Sequence, residues 1–207
     1  MVNAENVLIC IAVPLAISSF FIQGGARRLV FAFLAGMVVC IFSAYVAGFI
    51  QITSGLNAKD ISIFLSPMVE ESMKLLLVLL CIYVFEPSGK GIELLAVGVG
   101  AGFATFENYC VLLSSDTQQL TYMLIRGLAV GVMHIVTLVA LAKGFLLLKS
   151  FKVFNFAGIA GILSISVTVH GLYNLLVSSP GVSSYIGYVM PMLCAVLLHM
   201  VNVARRG

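Results

Sequence analysis

Apolar residues run along this chain in seven long stretches separated by short polar turns: Asn6 to Ile22, Leu29 to Ile50, Ile61 to Phe85, Ile92 to Leu113, Leu124 to Leu148, Phe154 to Val177 and Ser184 to Val203. A helix needs about 20 apolar residues to cross a hydrocarbon core roughly 30 Å thick, and most of these stretches meet that length. The interruptions carry turn and breaker residues: Gly24-Gly25, Ser54-Gly55 with Asn57, and Pro87-Ser88-Gly89. The first stretch is short and holds Pro14, so it is expected to be kinked or re-entrant if it does not span fully. The pattern predicts an all-α, polytopic transmembrane bundle of about seven spans.

Composition agrees and narrows the possibilities. Of 207 residues, 61% are hydrophobic and 9% charged, whereas a soluble domain carries about 25% charged residues. No polar linker divides the chain, so residues 1–207 are expected to form one integral-membrane domain. The net charge of +3 is small and the basic residues are scattered, which excludes a nucleic-acid groove. Cys10, Cys40, Cys81, Cys110 and Cys194 each fall inside an apolar stretch without a CxxC pair and are expected to be buried free thiols. Met1 to Glu5 lacks the positive n-region of a signal peptide, so the first stretch is expected to be retained.

The basic residues set an orientation, because short Lys/Arg-bearing loops stay cytoplasmic. With the first connection inside, Arg27, Arg28, Lys90, Lys149, Lys152, Arg205 and Arg206 all fall on the cytoplasmic side, against Lys59 and Arg126 opposite. The N-terminus is therefore expected outside and the C-terminus inside. No internal repeat of the transporter kind is present, which argues against an ion or solute pathway. Gly98, Gly100 and Gly102 form a small-residue stripe of the kind that lets helices approach closely.

Ionisable groups inside a bilayer are costly, so each one found there is a candidate for function. They are Glu70, Glu71 and Lys74 in the third stretch, Glu107 in the fourth, His134 in the fifth and His170 in the sixth. Lys143 and His199 lie near helix ends, and His199 is expected at the interface. At about 100° per residue Lys74 sits angularly between the two glutamates, within reach of either. His170 and Asn174 share a face at i, i+4, and Phe103 lies one turn before Glu107 on the same face. At 1.5 Å per residue, Glu70 is about 15 Å deep from the outer end of its helix, Glu107 about 10 Å, and His134 and His170 about 12 Å. That shared depth makes one site a better account than four separate packing residues. Arg126, near the outer end of its helix, is expected to snorkel outward.

A carboxylate base beside His and Asn donors suits attack of water on a peptide carbonyl. There is no GxSxG serine and no HExxH pair, and Ser72 is turned about 160° from Glu70 on the helix. A metal is the competing reading: Glu70, Glu107, His134 and His170 could supply three zinc ligands and leave a water position.

Glu70-Glu71-x-x-Lys74, Phe103-x-x-x-Glu107 and His170-x-x-x-Asn174, in this order on successive helices, resemble the EExxK, FxxxE and HxxxD motifs of the PrsW family of intramembrane proteases. The phrase His170-Gly171-Leu172-Tyr173 and the helix with Arg126 and His134 are also similar to that family, and the motif-bearing core covers about residues 61–177. Asn174 departs from the PrsW pattern and is instead similar to the HxxxN motif of the related CAAX-prenyl protease and bacteriocin-processing group. Donation of a hydrogen bond then replaces proton acceptance at that position.

The resemblance implies a glutamate-type endopeptidase in the cell membrane of a prokaryote, hydrolysing a membrane-anchored protein such as an anti-sigma factor. Its partners would be that substrate and the lipid bilayer, with no cofactor or metal. Glu70 is the leading candidate base, with Glu71 and Lys74 tuning its charge. His134 and His170 would orient water or the scissile carbonyl, and Asn174 would stabilise the oxyanion. Glu107 is either a second carboxylate at the water or the partner of a histidine. The rival from another class is a non-catalytic membrane scaffold that uses the same Glu/His cluster for assembly.

Overall fold

The structure is a computed structural model, and it describes residues 3–85, 87–114, 120–151 and 156–204. Every element among them is helical: α1 (Ala4–Ser18), α2 (Gly24–Ser54), a single turn α3 (Ala58–Asp60), a π-helical turn (Ile61–Leu65), α4 (Ser66–Phe85), α5 (Gly89–Ser114), α6 (Leu120–Ser150), α7 (Phe156–Val177) and α8 (Val182–Ala204). Each predicted stretch is found as a helix, with ends shifted by a few residues. Lys152, Arg205 and Arg206, counted above for orientation, lie outside the described residues.

Seven spans were expected; five helices, α2, α5, α6, α7 and α8, are long and apolar enough to cross a membrane by themselves. The other two fall short for different reasons. α1 has 15 residues, a length of about 22 Å. α4 carries Glu70, Glu71 and Lys74 within its 20 residues, which lowers its apolarity where the chemistry needs charge. α3 and the π turn run directly into α4, so that helix gains length at its N-terminal end.

The helices alternate up and down. One end of the bundle therefore gathers the start of α1, the end of α2, the π turn, the end of α5 and the start of α6. α2 ends there on Gly55 in the left-handed conformation (φ 66°), whose N–H bonds to the Gln51 carbonyl. α5 is central, lying against α2 on one side and α6 on the other, while α4 packs on α2 and α7. The glycine stripe makes this possible. A Cβ on Gly102 would stand 1.9 Å from the Phe33 carbonyl oxygen, one on Gly98 2.6 Å from the Ala32 Cβ, and one on Gly100 2.9 Å from the His134 carbonyl oxygen. Two of the glycines thus bring α5 against α2, and the third brings it against the backbone of α6 at His134.

One apolar cluster gathers Leu75, Val78, Ala96, Val99, Leu138 and Leu141, and smaller ones around Met37 and Phe106, Ala104 and Met133, and Ile61 and Val69 pack about the polar residues. Of the five free cysteines only Cys40 is buried; Cys10 is exposed and the others are partly so. The expectation of burial was wrong for Cys10 because an apolar side chain on a membrane helix can face lipid as readily as core.

Close approach at Gly102 predicts that Gly102→Ala lowers stability by about 1–3 kcal/mol, the usual cost of overpacking. Gly127→Ala, where a Cβ meets nothing within 4 Å, should be neutral. Thermal midpoints in detergent compare the two.

Candidate active site

Six of the seven predicted residues meet in one cluster. The helix of α4 turns Glu71 and Lys74 inward, and both are fully buried. Of the two carboxylates open to it, Lys74 takes the one at i, i+3: Nζ donates to Glu71 Oε1 at 2.5 Å. The same ammonium lies 2.8 Å from His134 Nδ1 on α6 and 4.7 Å from the centroid of the Phe103 ring on α5. That ring also stacks at a tilt on the His134 imidazole, with centroids 4.8 Å apart. The phenyl face thus supports the cation where no water reaches.

Donor and acceptor roles follow from the lysine. An ammonium only donates, so Nδ1 of His134 must accept, and the ring proton sits on Nε2. Nε2 then donates to Glu107 Oε2 at 2.5 Å. Glu107 accepts a second bond through Oε1, from the Arg126 guanidinium at 2.9 Å. Of the two roles left open for Glu107, partner of a histidine is the one its contacts show. Arg126 does not snorkel outward as expected; it turns into the bundle and meets Glu107, with 15% of its side chain exposed. An arginine that finds a buried carboxylate gains more there than at the interface. Its position near a helix end hid this role, and its sequence distance of 19 from Glu107 offers no helical register from which to infer it.

On the other side, His170 of α7 approaches Glu71 Oε1 through Nδ1 at 2.8 Å. Since Glu71 can only accept and already holds Lys74, Nδ1 of His170 carries a proton. Nε2 faces Glu70 Oε2 across 3.8 Å. That carboxylate oxygen is buried and has no hydrogen-bond partner in the protein. The two imidazoles stand edge to face, 5.0 Å between centroids. A continuous chain therefore runs Arg126, Glu107, His134, Lys74, Glu71, His170, and ends at a gap before Glu70.

Asn174 is not at that gap. Its Nδ2 donates to the Ser62 carbonyl in the π turn at 2.8 Å, tying α7 to the segment that leads into Glu70. Gly171 supports the same junction, since a Cβ there would be 2.9 Å from the Ile63 carbonyl. Other buried polar atoms around the cluster, Glu71 Oε2, Tyr173 OH, Asn108 Oδ1 and Arg126 Nε, also have no hydrogen-bond partner. His199 is exposed near the end of α8, and Lys143 pairs with Glu93 at 2.7 Å. A cavity of about 530 Å³ reaches the cluster, with Glu70 and Glu107 both in its wall.

A family model described as PrsW family intramembrane metalloprotease matches residues 24–201. The chain belongs to the PrsW family. It is accordingly a membrane protease, and α1 lies outside the matched residues. No curated protein and no solved structure matches the chain.

The family description raises the question of a metal. Glu70, His134 and His170 offer donor atoms within 4.8 Å of one another, and two histidines with a carboxylate are a known catalytic zinc set. Glu70 Oε2 and His170 Nε2 are free for such a role. His134 is not, because Lys74 occupies Nδ1 and Glu107 occupies Nε2, and the ammonium would stand against any divalent ion placed there. The present arrangement thus supplies two ligands rather than three and does not fit a closed metal site.

The inward arginine predicts that Arg126→Gln destabilises the protein by about 1–3 kcal/mol, the cost of taking one of two donors from a partly buried carboxylate that keeps His134. Adding Glu107→Gln to it should recover part of the loss, and a double-mutant cycle on thermal unfolding measures the coupling.

Proposed function

We propose that this PrsW-family protein hydrolyses a peptide bond of a membrane-anchored protein by water activated at Glu70. The observation that carries the reading is the 3.8 Å gap between Glu70 Oε2, which has no hydrogen-bond partner in the protein, and His170 Nε2; we assign Nε2 as the acceptor side of the imidazole. A water molecule there donates one O–H to each. Glu71 holds the imidazole in the tautomer that leaves Nε2 free, and Lys74 keeps Glu71 in place.

Glu70 takes a proton from the water as its oxygen bonds to the scissile carbonyl carbon, and the carbonyl π pair moves onto oxygen. Asn174, whose amide is tied to the Ser62 carbonyl, acts by holding α7 against the segment that leads into Glu70 and not by touching the oxyanion. Glu70 then passes its proton to the departing nitrogen, the C–N bond breaks, and a carboxylic acid and an amine are released. Glu107 and Arg126 act at a distance by fixing His134 and, through it, Lys74. The substrate is a protein anchored in the same membrane, such as an anti-sigma factor, in a prokaryotic cell membrane, and the N-terminus faces outward as the Lys/Arg distribution favours.

A zinc-dependent reaction is the second reading, favoured by the family description and by the three donors within 4.8 Å. The two separate cleanly. With purified protein and single-span substrates in a bilayer, Glu70→Gln should lower cleavage by about 10²–10⁴-fold, the usual contribution of a general base, with the fold retained. A chelator such as 1,10-phenanthroline should leave wild-type cleavage unchanged. Wild-type rates in Glu70→Gln would refute the mechanism, and reversible loss of activity with chelator would establish the zinc reading.

A further inference from the structure

The cavity that reaches Glu70 has a wall with a consistent chemical character. One face of it, on α2, is small, with Cys40, Ala44, Ala47 and Gly48, while Phe103, Ile61 and Val111 close the other sides, and it runs between the carboxylates of Glu70 and Glu107 and the carboxylate of Glu5 in the first turn of α1. Among the described residues, no Lys, Arg or His side chain lines it. Glu5 is not a stray surface charge: the Tyr45 hydroxyl of α2 donates a hydrogen bond to its Oε1, fixing the carboxylate over the cavity. Ala4, Leu8 and Ile11 of the same helix pack on the cluster of Met37, Cys40, Phe103 and Phe106, so α1 is seated against the cavity wall. Exposed glutamate is ionised at neutral pH.

We propose that this cavity is the cleft for the scissile segment of the substrate, and that Glu5 is a specificity residue selecting a substrate with Lys or Arg beside its apolar segment and rejecting Asp or Glu there. The proposal rests on Glu70 marking the reacting bond and adds the class of segment that reaches it. An apolar, unbulky stretch matches the alanine and glycine wall. A basic residue next to it meets Glu5, whereas an acidic one meets a like charge there. Glu5 makes no contact with the reacting atoms and acts on choice of substrate alone.

Binding tests this without turnover. The probes are dansyl-labelled single-span peptides with a Leu/Ala core and one Lys, Gln or Glu just outside it, titrated into phosphatidylcholine nanodiscs holding the Glu70→Gln protein. With Glu5 present, the Lys peptide should bind about tenfold tighter than the Glu peptide, an effect of the size expected for one opposed or like charge pair at an interface. Glu5→Gln should remove that preference and Glu5→Lys should reverse it. Gly48→Leu adds a side chain where a Cβ meets nothing within 4 Å and should weaken all three peptides together. An order of affinities unchanged across the Glu5 variants, or full binding in Gly48→Leu, would overturn the proposal. Because these titrations use the Glu70→Gln protein, a failed cleavage assay and a failed specificity assay give different results.

Discussion

Charge in hydrocarbon must be matched, and in this protein the matching is arranged as a chain. Lys74 is answered by Glu71 and Arg126 by Glu107, each at hydrogen-bond distance, with His134 and His170 as the links between and beyond them. Two cations meet two carboxylates. Glu70 is the carboxylate left over: it pairs with neither cation, and its buried Oε2 has no hydrogen-bond partner in the protein. The pairs around it are stable because each supplies the other's missing solvation. The uncompensated member is the one able to take up and return a proton without breaking a pair, so one residue combines the cost of the site and its use.

Holding that chain together needs the backbones close. Gly100 lets α5 touch the α6 backbone at His134, and Gly98 and Gly102 press α5 onto α2. The π turn does complementary work. Its widened backbone leaves the Ser62 carbonyl for Asn174 and the Ile63 carbonyl beside Gly171, which joins α7 to the start of α4. Glu70 and His170 are thus set across from each other by a backbone junction just beyond them. π turns recur at functional sites for this reason: they release main-chain groups that a regular helix would consume.

Much of this was legible in the sequence. Helix positions followed from apolar runs, and the polar residues of four helices converged because their depths agreed when counted from the helix ends. Direction was harder to read than depth. Lys74 lies between Glu70 and Glu71 on the helical wheel, and only the placement of His170 beside Glu71 decides the pairing. Arg126 sits near a helix end, where snorkelling outward and turning inward leave the same trace in sequence. Asn174 shares a face with His170, yet its amide is claimed by a π turn that no local pattern announces. The five helices that qualify as spans, against seven expected, reflect the same point, since α4 gives up apolarity to carry the site and α1 is short.

The central claim, that Glu70 is the unmatched charge among matched ones, is tested most directly by thermal unfolding of Glu70→Gln beside Glu71→Gln in the same detergent. Removing an uncompensated carboxylate should leave the midpoint unchanged or raise it. Removing the carboxylate that holds both Lys74 and His170 should lower it, by the equivalent of about 3–5 kcal/mol. Equal losses in the two variants, or a greater loss in Glu70→Gln, would contradict the account.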